Sequence, residues 1–196
     1  MKRVHAILLL LAVSFCLFAC SGAETKVESK QSAKNVLVVY FSQTGTTRTL
    51  AEYAAEILGA DLFEIQALIP YAAADIAYYT NCRADIEQSD PSARPEIANR
   101  VANMEGYDTI LLGYPIWHGQ APRIIYTFLE SYDFTGKTIV PFCTSQSSGL
   151  GSSDRNLHPL CPSTTIWKDG RRFAGGTSKD EIANWLQKTG IGPAEK

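Results

Sequence analysis

The chain is poor in residues that hold metals or grip nucleic acid. Only five of its 196 residues are cysteine and three are histidine, and the cysteines form no CxxC pair or other metal-ligand spacing, which removes a zinc site as the organising element. No basic run interleaved with aromatics occurs, and 18 Lys+Arg stand against 20 Asp+Glu, for a formal net charge of -2. Nucleic acid is therefore not an expected partner. Gly and Pro are not in excess, at 14 and 9, and with 45% hydrophobic and 19% charged residues the composition is that of an ordinary globular domain. A chain of this length buries roughly 70% of its unfolded surface, so its fold needs neither a metal nor a disulfide framework.

Residues 1–19 read as an export signal. Lys2 and Arg3 form a positive start, Ala6 to Phe18 an apolar stretch too short to span a bilayer, and Leu17-Phe18-Ala19-Cys20 ends the segment. Those four residues resemble the bacterial lipobox, which implies cleavage before Cys20 and lipidation of its sulfur. The expected location is the bacterial cell envelope, on the periplasmic face, with the membrane reached through the lipid alone. Ser21 after the lipidated cysteine resembles the sorting pattern of the outer membrane in some Gram-negative bacteria. Acyl chains contributing ~0.8 kcal/mol per buried CH₂ would hold such a protein without a spanning helix. Loss of Lys2 and Arg3 leaves 16 basic against 20 acidic residues, a net charge of -4. Residues 20–34, rich in Ser, Glu and Lys without apolar periodicity, read as a flexible tether. Cys82, Cys143 and Cys161 remain in the mature chain, enough for one disulfide at most, with three buried thiols as the alternative.

From Asn35 strands and helices alternate, which defines a domain over 35–190. Val36 to Phe41 is a continuous β-branched and aromatic run, the pattern of a strand buried on both faces of a parallel sheet. A hydroxyl-rich turn follows, then Leu50, Tyr53, Ala54, Ile57 and Leu58 at helical spacing up to Gly59. Further strands are expected at 62–65, 109–113, 138–142 and 164–167, and helices over a stripe of Ile97, Val101 and Met104, after Pro122, and from the capping box Ser178-Lys179-Asp180-Glu181. Pro141 is tolerable in a strand only where its nitrogen faces no neighbour's acceptor. The connection over 66–95, with Tyr71, Tyr78 and Tyr79, is unusually long. It reads either as a surface excursion with one short helix or as a lid over the ligand edge. The alternation predicts an α/β, doubly wound parallel sheet with helices on both faces.

Ligands of such sheets bind beyond the carboxyl ends of the strands. The first loop there, Ser42-Gln43-Thr44-Gly45-Thr46-Thr47, sets four hydroxyls and a glycine before a helix, a place where N–H groups, hydroxyls and the helix dipole converge on a phosphate. It lacks the Lys of GxxxxGK[ST] and the spacing of GxGxxG, which argues against nucleoside triphosphates and dinucleotides. The second, Tyr114-Pro115-Ile116-Trp117-His118-Gly119-Gln120, is aromatic. The third, Cys143 to Ser153, is nearly free of bulk and lets backbone approach something flat and polar.

Together Val38 to Thr47, Leu112 to Trp117 and Pro141 to Ser145 resemble the flavodoxins, in particular bacterial flavodoxin-like proteins with a longer second connection. The resemblance covers about Asn35 to Lys188. It implies a flavodoxin-like five-stranded sheet of order 2-1-3-4-5 and FMN as cofactor. Ser42, Gln43, Thr44, Gly45, Thr46 and Thr47 would lie around the phosphate. Tyr114, Pro115, Ile116, Trp117, His118 and Gly119 would flank the isoalloxazine, with Thr144, Ser145, Gln146, Ser147, Gly149 and Gly151 at its pyrimidine edge. Two departures stand out: His118 replaces an aromatic common in close relatives, and the stacking Tyr of flavodoxins proper is absent after the fourth strand. One flavin face is then open, or covered by Tyr78 or Tyr79. The implied function is electron transfer with redox proteins or small acceptors as partners. The alternatives are an FMN-dependent reductase of quinones or similar acceptors, and a binding module without flavin.

Overall fold

The computed structural model describes residues 35–77 and 81–191. The proposed signal, Cys20 and tether lie outside the described residues, as do Tyr78 and Tyr79. The domain comprises β1 (Val36–Tyr40), α1 (Thr46–Leu58), β2 (Asp61–Glu64), α2 (Arg83–Ser89), β3 (Thr109–Pro115), α3 (Arg123–Glu130), β4 (Thr138–Thr144), α4 (Ser153–Leu157), β5 (Ile166–Trp167), β6 (Arg171–Phe173) and α5 (Lys179–Thr189). Short 3₁₀ turns stand at Ala73–Ile76, Met104–Gly106 and His158–Leu160.

All strand pairings are parallel, and the order is β2-β1-β3-β4-β5, with β6 also on β4. Alternation along the strands sends Leu37, Val39 and Phe41 to one face and Val38 and Tyr40 to the other. The first face packs on Ile124, Ile125, Phe128 and Leu129 of α3, the second on Leu50 and Ala54 of α1 and Ile182, Trp185 and Leu186 of α5. Both sides of the sheet are therefore covered, as continuous apolar strands require. Pro122 stands at the N-cap of α3, and Ser178 caps α5 by accepting from Glu181 N at 3.2 Å.

Two sequence expectations change. The fifth strand position holds two pieces, β5 and β6, separated at 168–170. Ile139 O accepts from Lys168 N, and Ser145 N donates to Phe173 O, so alternation along β4 turns the nitrogen of Pro141 toward that same edge. The ring nitrogen, which has no hydrogen to donate, falls at the gap. No helix forms over 97–103. Leu68 N donates to Glu96 O and Ala98 N to Gln66 O, both at 2.8 Å, while the Asn99 amide reaches Gln66 N and Glu64 O. Backbone groups committed to residues 66–68 are withdrawn from a helical ladder, although Ile97 and Val101 still pack on the core.

The long connection packs onto the body. Tyr71 is buried edge-on between Phe41 and Trp117, with ring centroids at 5.8 and 5.3 Å. Its hydroxyl donates to Glu87 Oε2 at 2.6 Å, and Arg83 lies over its ring and bonds the same carboxylate.

Candidate functional site

Strands β1, β3 and β4 are neighbours, so the loops leaving their carboxyl ends meet at one edge, where the strand order reverses. Four contacts tie them together. Thr47 Oγ1 and Thr144 Oγ1 are 2.7 Å apart and buried, joining the first loop to the third. Phe41 and Trp117 meet edge to face at 5.5 Å, joining first to second. Ile116 N donates to Thr144 O at 3.0 Å, and Ser152 N to Gly119 O at 3.0 Å, joining second to third.

The first loop turns into α1 through Gly45, which takes φ 84° at the N-cap. A glycine cap supplies no side-chain acceptor, and the first turn of this 13-residue helix carries no acid. Its leading N–H groups are left for an external anion. Beside them the hydroxyl of Ser42 is buried and has no hydrogen-bond partner among the described residues. Thr44 and Gln43 are exposed, Thr46 is half-buried, and Thr44 Oγ1 and Thr46 Oγ1 are 3.5 Å apart. Arg48, one residue further on, turns away and donates to Glu64 Oε1 at 2.5 Å, an ion pair that raises the pKa of the guanidinium. An open cleft of about 450 Å³ borders Thr44, Gly45 and Thr46, with the 175–178 turn opposite. Another of about 420 Å³ lies at the far, amino edge of the sheet near Asn35 and Tyr107 and carries none of these groups.

In the second loop Tyr114 is fully buried in the core; burial holds its phenol neutral, the Ser153 hydroxyl opposing. Pro115, Ile116 and Trp117 are half-buried. Trp117 and Gln120 pair through reciprocal backbone bonds of 2.9 and 3.1 Å, with His118 at φ 49° and Gly119 at φ 78° between them. Two consecutive positive φ values make this a type I′ hairpin. The imidazole Nδ1 of His118 lies 3.6 Å from Asp85 Oδ1 on α2.

In the third loop Thr144 is buried, Ser145 is half-buried, and Gln146, Ser147, Gly149 and Gly151 are exposed. Gly151 has φ 62°, and a Cβ there would stand 1.9 Å from Gly119 O. The guanidinium of Arg172, on β6, donates to Ser145 O at 2.8 Å and to Gln146 O, fixing the loop and placing a positive charge beside it.

The sequence profile of the family described as Flavodoxin matches residues 35–189. The chain belongs to the flavodoxin family. Crystal structures of two proteins described as flavoproteins are similar to it. The one from Bacteroides eggerthii is 39% identical, with a TM-score of 0.73 over 80% of this chain and 98% of that one. The one from Bacteroides uniformis is 38% identical, with a TM-score of 0.74 over 79% and 99%. A flavoprotein of Lactobacillus acidophilus in complex with FMN shares the fold at 22% identity and a TM-score of 0.56, over 78% and 99%. Among curated proteins none matches.

The flavodoxin's three loops also have neighbours that its motifs did not reveal. Gln88, Asp85 and Arg172 touch the site loops from elements outside the motifs. Among the described residues no group of three or more His, Cys, Asp or Glu forms a metal site, and no helix is long and apolar enough to cross a membrane.

Proposed function

We propose that this flavodoxin binds FMN and serves as an exported, lipid-anchored electron carrier. The observation that supports it most is the buried, unpartnered Ser42 hydroxyl beside an α1 N-terminus that no side chain caps. A phosphate monoester would supply the missing acceptor for both. Thr44, Thr46 and Thr47 add hydroxyls around it, and the pairing of Arg48 with Glu64 leaves binding to neutral donors and the helix dipole. When bound, FMN supplies one- and two-electron redox chemistry. The Trp117–Gln120 hairpin would orient the ring, and the glycine-rich third loop, held by Arg172, would offer backbone groups to its polar edge.

Export and anchoring rest on Lys2, Arg3, the apolar run to Phe18 and the lipobox-like Leu17 to Cys20. The test of the carrier reading is the absorbance spectrum of the purified protein, followed by reductive titration. One equivalent of a yellow chromophore that cycles reversibly supports it. A colourless protein that fails to take up added FMN contradicts it, and saturable, rapid turnover with a quinone assigns a reductase instead.

A further inference from the structure

The hairpin of the second loop is held from outside its own turn as well as by its own backbone bonds. The carbonyls at its two ends are anchored by Gln88, the penultimate residue of α2, a residue only 5% exposed. Gln88 Nε2 donates to Trp117 O at 3.0 Å and to Ala121 O at 3.1 Å, on either side of the hairpin, while its Oε1 accepts from Arg123 N at 3.0 Å. The amide is thus used at both ends. The backbone O of Gln88 accepts from Gln120 Nε2 at 3.2 Å and from the Arg123 guanidinium at 3.0 Å, so a last-turn carbonyl of α2 is capped by a cation. Gln120 Oε1 in turn accepts from Asn156 Nδ2 at 2.8 Å and from Tyr126 hydroxyl at 3.2 Å. The network joins α2, α3 and α4 beneath one four-residue hairpin.

We propose that Gln88 is a positioning residue of the flavin site: it fixes the Trp117–Ala121 backbone and through it the binding and redox behaviour of the ring. The inference rests on the FMN reading and assigns the long connection a role in the site. A buried amide bridging two carbonyls costs little when satisfied, but its removal takes the Gln88 donor from Ala121 O, leaves Trp117 O with Gln120 N alone, and frees the hairpin to move. The effect belongs to the ring side, away from the phosphate loop. FMN and riboflavin should therefore suffer alike.

The experiment compares wild type with Gln88→Met and Gln88→Glu. It measures FMN and riboflavin affinities by fluorescence quenching and the midpoint potentials by potentiometry, with thermal melting of each apoprotein. Expected is a loss of roughly tenfold for both ligands in equal proportion, with shifted potentials. The carboxylate introduced by Gln88→Glu cannot donate to Trp117 O or Ala121 O, whereas its protonated form can donate to one of them. The defect of that variant should therefore shrink as pH is lowered toward 5, while that of Gln88→Met should not. Gln88→Glu matches the native side chain in shape and keeps the test available if Gln88→Met fails to fold. Wild-type affinities and potentials in a folded variant, or a Gln88→Glu defect that pH does not move, would overturn the proposal while leaving the FMN reading intact. A wild type that binds neither ligand would overturn that reading first.

Discussion

The carbonyl oxygen of Gly119 lies 1.9 Å from where a Cβ on residue 151 would stand. The second and third loops thus close on each other with no room for a side chain, and Ser152 N seals the contact by donating to the same oxygen. Gly151→Ala should destabilise the fold by more than about 2 kcal/mol, from the clash and the positive φ together. Gly149→Ala, in the same loop with nothing within 4 Å, should stay within about 0.5 kcal/mol of wild type. Urea denaturation of the two variants checks this, and equal stabilities would show that the loops part easily.

Much of this architecture could be read from local pattern. The runs at 36–41, 109–113 and 138–142 are apolar on both faces because the strands they form are covered on both sides, and the four hydroxyls around Gly45 mark the first loop. The broken fifth strand escaped because pieces of two and three residues carry no period. Ile97, Val101 and Met104 mimic a helix stripe, but tertiary bonds to Gln66 and Leu68 claim the backbone. Gln88 and Arg172 left no mark, since the partners of their side chains are backbone groups 26 to 35 residues away. Side-chain identity carries no information about such partners.

Burial pushes the Cys143 thiol up to about 12, with Arg172 opposing, and burial alone raises Cys161 to about 11. Both favour the neutral thiol in the folded state. Their contribution to stability is full below the unfolded value of 9.0 and should be lost as pH rises from there toward 12. Cys82, Cys143 and Cys161 are all free thiols. Iodoacetamide at about pH 8 should leave the fully buried Cys143 unmodified in folded protein and modify it in urea. Rapid labelling of the folded form would contradict the burial argument.

Cys20 is the sole proposed membrane attachment. Cys20→Ser should yield either soluble exported protein or an uncleaved precursor, with the melting temperature of the 35–190 domain unchanged. Fractionation followed by mass determination decides this. Processed variant recovered in the membrane would refute the anchor.

The central claim is that the Ser42 hydroxyl awaits a phosphate, and Ser42→Ala tests it most directly. An unpartnered buried hydroxyl costs about 1–3 kcal/mol, so its removal should leave the apoprotein no less stable than wild type. In the holoprotein the same hydroxyl would donate a charge-assisted hydrogen bond of about 1.5–3 kcal/mol. The measurement is the affinity of wild type and Ser42→Ala for FMN and for riboflavin, by fluorescence quenching. The account predicts a roughly tenfold to hundredfold loss for FMN and little change for riboflavin. Equal losses for the two ligands, or no loss for either, would contradict it.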